Sequence, residues 1–192
     1  QHALTPGPVA DWLQVASWAG RDDEVIRVWQ RYGIYMPLPA RAIAAVAQSR
    51  RNQKAWPSAL SLWKEALSLA PDNDDYRIGY VKTLADARRD RLALSKARQL
   101  VKDDPSPAHL ETLSYVWMRQ GKNGDRLLAD MRALNAAPGN NALLRETIDA
   151  LTDNRVSTPA LWLSQSAAMS PAERRRLERN AAAEKVRLAD VP

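Results

Sequence analysis

Very little in this chain can do covalent chemistry. Its 192 residues contain no cysteine and two histidines, His2 and His109, far apart in sequence. Thiolate nucleophiles, disulfides and Cys- or His-clustered metal sites are excluded by residue type. Carboxylates are more plentiful, and two runs invite a chemical reading, Asp22-Asp23-Glu24 and Asp72-Asn73-Asp74-Asp75. A calcium loop opening at Asp72 would need glycine at its sixth position and glutamate at its twelfth. Arg77 and Thr83 stand there instead. Both runs are better read as helix starts, since acids favour the positive end of a helix and Asp or Asn caps it. A glycoside hydrolase needs two carboxylates poised across the scissile bond. Asp75 and Asp86 are the pair that could face one groove, and hydrolysis is the reading set aside. Gly121-Lys122-Asn123-Gly124 lacks the upstream glycine and the Ser/Thr of a phosphate loop. No catalytic residue, cofactor or metal is expected.

Composition narrows the class further. Apolar residues make up 45% and charged residues 26%, without a low-complexity tract, which argues for a packed core rather than disorder. No apolar run approaches the ~20 residues of a membrane helix. The chain opens at Gln1 without Met or a signal peptide, as expected of a mature protein or of a fragment cut from a longer one. The net charge of +6 suggests nucleic acid, but the excess is spread thinly along the chain apart from Arg88-Arg89 and Arg174-Arg175-Arg176. Short charge runs of this kind read as solvated helix faces, so nucleic acid is not an expected partner.

The elements that must position any site come from a repeat. Pro37, Pro71 and Pro105 are spaced by 34 residues, as are Trp29, Trp63, Ala97 and Met131. Val25, Ala59, Ala93 and Leu127 form a third register, and Tyr32, Ala66, Leu100 and Leu134 a fourth. This is the period of the tetratricopeptide repeat, a helix–turn–helix unit. Ala59 through Leu67 carries the Ala–aromatic–Ala pattern of such a repeat's second helix. There Ala59 permits close approach, Trp63 fills the space beside Ala66, and Pro71 closes the unit. Trp12, Trp29 and Trp63 are expected in the core, and Trp18 and Trp56 near turns. The small residue usual on the first helix is Ala47 in one copy, replaced by Leu13, Val81 and Tyr115 in the others.

The expectation is an all-α, right-handed solenoid over residues 1–170, with repeats near 6–39, 40–73, 74–107, 108–141 and a degenerate pair over 142–170. Pro138 closes the fourth copy one residue early, and Pro159 falls near the start of the last helix of the degenerate pair. Residues 171–192 form a C-terminal capping helix or linker, opened by the capping box Ser170-Pro171-Ala172-Glu173.

Resemblance to tetratricopeptide proteins implies a concave binding face on the first helices. In this sequence it would comprise Gln14, Arg41, Gln48, Arg51, Asn52, Asp75, Lys82, Asp86, His109, Thr112 and Arg119. Members that clamp a C-terminal carboxylate use a Lys and Asn pair on the first helix. Ala44 and Gln48 occupy the matching positions in the second repeat, so chaperone-type docking is not supported.

A closer resemblance lies in particular strings. They are Ala10-Asp11-Trp12-Leu13-Gln14, Ala16-Ser17-Trp18-Ala19-Gly20, Leu38-Pro39-Ala40-Arg41 and Ala44-Ala45-Val46-Ala47, with Arg51-Asn52 and Trp56. After these come Ser61-Leu62-Trp63, Ala66-Leu67-Ser68-Leu69, Asp74-Asp75-Tyr76 and Thr83-Leu84-Ala85-Asp86-Ala87. Together they resemble the periplasmic N-terminal region of the poly-β-1,6-N-acetyl-D-glucosamine export porins of Gram-negative outer membranes. The match is dense over roughly residues 9–90 and thin after 108.

The resemblance implies a non-catalytic scaffold on the periplasmic face of the outer membrane, in a parent chain that ends in an outer-membrane β-barrel. It further implies recruitment of the periplasmic polysaccharide de-N-acetylase and guidance of partly deacetylated polymer to the pore. The alternatives are a free-standing repeat adaptor with an unrelated protein partner, or a module whose groove itself binds the polymer. Since Asp75 and Asp86 are the only acids among the groove positions and the deacetylated polymer is a polycation, the protein partner suits the groove better.

Overall fold

A computed structural model describes residues 4–104, 106–121, 129–131, 133–134, 136–137, 139–153 and 155–189. His2, Pro105, Leu127, Pro138 and the segment Lys122-Asn123-Gly124 lie outside the described residues. The chain divides into two units, residues 1–93 and 94–192. Among the described residues there is no strand, and no helix is long and apolar enough to cross a membrane.

The first unit is built from helices α1 (Pro6–Trp18), α2 (Asp22–Arg31), α3 (Ala40–Asn52), α4 (Trp56–Leu69) and α5 (Asp74–Asp86), with a 3₁₀ turn at Gly33–Tyr35. Helix α6 (Asp90–Asp103) follows and runs past the division between the units. The local chemistry accounts for the starts. Asp22, Asp23 and Glu24 occupy the first turn of α2, where they meet the positive end of the helix dipole. Asn73 caps α5, its side chain accepting from the Tyr76 N–H at 3.1 Å. Thus both acidic runs start helices.

The turns inside the pairs share one device. Gly20, Lys54 and Arg88 have φ of +68°, +60° and +57°. In each case the next residue's N–H reaches back five residues, Arg21 to Ala16, Ala55 to Arg50 and Arg89 to Leu84. This is the Schellman closure, which satisfies the last carbonyls of the helix and reverses the chain. Glycine takes the left-handed conformation without steric cost, whereas Lys54 and Arg88 are held there by the pairing of the helices around them. In the second unit the left-handed conformation returns at Gly121 and Arg155, φ +69° and +59°, and after Arg155 the Val156 N–H reaches back to Leu151.

Helix α3 packs against α1, α2 and α4, and α4 against α5. The repeated columns are what they bury. Val25, Ala59 and Ala93 are buried, as are Trp63, Ala97 and Met131 in the second column, and Ala66, Leu100 and Leu134 in the third. Trp63 lies against Gly79, where an added Cβ would sit 2.5 Å from the indole ring. Its Nε1 donates to Thr83 Oγ1 at 2.9 Å, and that hydroxyl donates to the Gly79 carbonyl at 2.7 Å. Gly79 is thus the small residue that lets α4 and α5 meet. The repeat's usual position for a small residue is Val81, which is buried in the same helix.

One expectation about the tryptophans needs correction. Trp29 is half-buried and packs on the core, but Trp12 is substantially exposed. Its indole lies 6.5 Å from the Tyr32 ring, and Nε1 donates to Glu24 Oε1 at 2.7 Å. The register puts Trp12 on the side of α1 facing away from α3, so a polar neighbour takes up its N–H.

The second unit contains α7 (Pro107–Arg119), α8 (Asn141–Asp153), α9 (Ser157–Leu163) and α10 (Pro171–Ala189). Helix α9 packs on both α8 and α10. The capping box forms as its spacing predicts. Ser170 N–H donates to Glu173 Oε2 at 2.8 Å, and Glu173 N–H to Ser170 Oγ at 3.3 Å. Helix α10 packs against the unit. Leu177 and Ala181 are buried, and Glu184 accepts from both the N–H and the hydroxyl of Ser157 at the start of α9.

Candidate interaction surface

In the first unit the polar residues of the first helices fall into columns. Gln14, Gln48 and Lys82 are 34 residues apart, one per repeat, and each is half-buried. Arg41 and Asp75 form a second column and are exposed. Of these, Arg41 and Gln48 are bound to neighbouring side chains. Arg41 donates to Asp11 across α1 and α3 at 2.7 Å. Gln48 donates to Asn52 at 2.8 Å, and Asn52 reaches the Asp22 carboxylate at 3.1 Å. Beside it Gln53 donates to Asp23 at 2.8 Å.

The acids at the start of α2 therefore have a second task, which is to bind the C-terminal end of α3. Sequence reasoning missed Asp11, Asp22 and Asp23 as partners. A signal existed, because Asp11–Arg41, Asp22–Asn52 and Asp23–Gln53 share a separation of 30 residues, one repeat less one helical turn. Nearby, Glu24 is held below the usual carboxylate range, first by the Trp12 indole and then by Arg21, which bridges it at 3.1 Å.

The groove charges Arg51 and Asp86 form one unit. Arg51 Nε lies 2.7 Å from Asp86 Oδ2, with only 16% and 8% of the two side chains exposed. The carboxylates of Asp75 and Asp86 are not a matched pair, since Asp75 is exposed on the first turn of α5 and Asp86 is buried at the last residue of that helix. Nor are Arg51 and Asp86 two independent contacts for a ligand. Reversing the charge of Arg51 would place two carboxylates together in a half-dry site.

Two further expectations are corrected in the second unit. His109 and Thr112 are buried. The His109 Nδ1–H donates to the Asp104 carbonyl at 2.6 Å, and the Thr112 hydroxyl to the Ala108 carbonyl at 2.8 Å. Both are tied to backbone carbonyls at the start of α7. Arg119 is half-buried at the far end of that helix.

A groove that sequence reasoning missed runs between α8 and α10, with a volume of about 330 Å³. Ile148 and Leu177 line it together with Asp149, Asp153, Arg176 and Asn180. Arg145 closes one side, donating to the Ala168 carbonyl and to Glu173, each at 2.7 Å. The acids Asp149 and Asp153 are four residues apart on α8, so they share one face of the helix.

No family model matches the chain. Over 157 residues, 82% of its length, the chain is 40% identical to the poly-beta-1,6-N-acetyl-D-glucosamine export protein of Escherichia coli (strain K12). The corresponding protein of Escherichia coli O157:H7 matches to the same extent. The chain spans about a fifth (19%) of the length of these relatives. Among solved structures, MamA MSR-1 C2 is similar with a TM-score of 0.51 and 14% identity, over 90% of this chain and 96% of that one. That likeness shows the fold, an all-helical tetratricopeptide array. The resemblance carried by the quoted strings is therefore borne out: on a tetratricopeptide fold, this chain is similar to poly-beta-1,6-N-acetyl-D-glucosamine export proteins over 82% of its length.

Proposed function

We propose that this chain is a non-catalytic interaction module of a poly-β-1,6-N-acetyl-D-glucosamine export protein, stationed on the periplasmic side of the outer membrane. The observation that carries this reading is the 40% identity to such a protein over 82% of the chain. The module recruits a periplasmic protein partner, the polysaccharide de-N-acetylase, through the first-helix face of the first unit. It is continuous with further repeats and an outer-membrane β-barrel in the parent polypeptide. Supporting a protein partner over a polymer on this face is its charge pattern. Asp86 is taken up by Arg51 and Asp11 pairs with Arg41, so that of the two groove acids, Asp75 and Asp86, Asp75 is the exposed one. Complementary charge on a partner would mainly speed its association.

The test is a titration of the purified chain with the de-N-acetylase and, separately, with partly deacetylated oligosaccharide. Gln48→Glu/Lys82→Glu alters two members of one column and leaves Arg51 and Asp86 themselves unsubstituted. The variant is expected to weaken enzyme binding about tenfold, equivalent to ~1.4 kcal/mol, and to leave the oligosaccharide unaffected or better bound. Tight oligosaccharide binding with none to the enzyme would overturn the assignment. Unchanged enzyme binding by the variant would overturn the choice of face.

A further inference from the structure

Helix α1 is apolar nearly all round. Its sequence, Pro-Gly-Pro-Val-Ala-Asp-Trp-Leu-Gln-Val-Ala-Ser-Trp, has three polar side chains, Asp11, Gln14 and Ser17. A helix of that kind is normally covered on both sides. Val9, Ala10, Leu13 and Ala16 supply the covered side, all buried in the core of the first unit. The opposite side carries Pro8, Trp12, Val15 and Trp18, preceded by Leu4, all exposed.

The repeat shows what such a face is for. Moving each residue forward by 34 leads to its counterpart one repeat later, where α1 and α2 pack on α3. Leu4, 43% exposed, becomes Leu38 at 7%, and Trp12, 42% exposed, becomes Val46 at 0%. Val15, 52% exposed, becomes Ser49 at 0%, and exposed Pro8 becomes Ala42, fully buried. Four of these five open positions are therefore closed before α3, where an antiparallel helix pair covers them, whereas Trp18 maps to Asn52, which stays exposed. A contrast comes from the same translation, because exposed Tyr35 maps to Leu69, which is exposed as well. The coverage is thus specific to one face of α1 and is not a general property of apolar residues in this region.

We propose that the exposed face of α1 is the docking surface for another tetratricopeptide-type helix pair, supplied in cis by the polypeptide ahead of Leu4 and seated as α1–α2 sits on α3. The position of Leu4 is what favours the same polypeptide over a second copy. Its counterpart, Leu38, lies in the segment that joins α2 to α3 and is buried by that passage. Leu4 stands where the corresponding joining segment would enter α1. The occupant should offer small and aliphatic side chains toward Trp12 and Val15. It should also offer an acidic or amide group toward the C-terminal end of α1, as Asp22 and Asp23 do toward α3.

This inference rests on reading the chain as part of a longer export polypeptide. The experiment uses that polypeptide as its gene encodes it, with the photocrosslinking residue p-benzoylphenylalanine at Val15 or, in a second sample, at Tyr35. Irradiation, digestion and mass spectrometry identify the adduct. The expected result is an intramolecular adduct from position 15 to a peptide N-terminal to residue 4, and loss of that adduct when the probe is at position 35. An adduct to a second copy, the same adduct from both positions, or no protein adduct from position 15 would each overturn the proposal. So would a gene product with too little chain ahead of Leu4 to form two helices. Adduct formation does not depend on enzyme or polymer binding. If the adduct forms and the de-N-acetylase fails to bind, the proposed function fails and the docking surface stands. If the enzyme binds and no adduct forms, only the docking surface fails.

Discussion

Replacing Gly79 with alanine tests the helix packing at its tightest point. A Cβ built there would lie 2.5 Å from Cζ2 and 2.6 Å from Cη2 of Trp63, whereas unstrained carbon contacts lie at roughly 3.5–4.0 Å. The ring has little room to retreat. It is buried, and its Nε1 is tied at 2.9 Å to the Thr83 hydroxyl, which is itself tied to the Gly79 carbonyl. Overpacking a core costs about 1–3 kcal/mol, and these hydrogen bonds place the present case near 3. Against it, Gly→Ala in a helix interior gains about 1 kcal/mol. The net expectation is a loss of about 2 kcal/mol, seen as a fall in Tm of roughly 4–8 °C. Thermal unfolding followed by circular dichroism measures it. In a Trp63→Leu background the added methyl has space, and the same Gly79→Ala change should become neutral or stabilising. That reversal of sign is the signature of the contact. If Gly79→Ala stabilises the otherwise unaltered chain, the packing described between α4 and α5 is wrong.

Two further outcomes follow from polar contacts. Arg51→Met removes the guanidinium from the Asp86 carboxylate in a site where it is 8% exposed, and urea denaturation should show a loss of up to about 3–5 kcal/mol. Arg51→Met/Asp86→Leu should recover most of that loss, and an equal loss in both variants would show that the ion pair is not what matters there. Glu173 is held below the ordinary carboxylate range, first by the Ser170 N–H, then by the Ser170 hydroxyl, and also by Arg145. Because the folded state depresses its pKa, its contribution is complete above the ordinary glutamate range and fades as pH falls through the lower folded value. Helicity in the wild-type chain should therefore carry an acid-dependent component that Glu173→Ala lacks. Superimposable acid titrations of the two proteins would contradict the capping box as the anchor of α10.

The repeat was legible because it is written in residue type. Alanines and aromatics at a fixed period of 34 mark positions where two helices touch, and touching positions tolerate few side chains. Buried Ala59, Ala66, Ala93 and Ala97 are where that pattern placed them. Helix starts were legible for a related reason, since a cap is a contact within a few residues of itself. Asn73 and Ser170 each close a ring three residues long.

Contacts between repeats were not readable in the same way. Gly79 is an ordinary helix-breaking residue until Trp63 lies over it, and Lys54 and Arg88 carry no local mark of the left-handed conformation they adopt. His109 looked like a surface imidazole because nothing in the sequence says that α7 turns it inward. Arg51 and Asp86 looked like two groove charges because a separation of 35 residues becomes 2.7 Å only after α3 and α5 are side by side. From residue type and period alone come the helix pairs, their caps and the absence of any thiol. Which polar side chains are consumed in holding the pairs together, and which remain for a partner, is decided by tertiary packing, because pairing and burial depend on residues a whole repeat away.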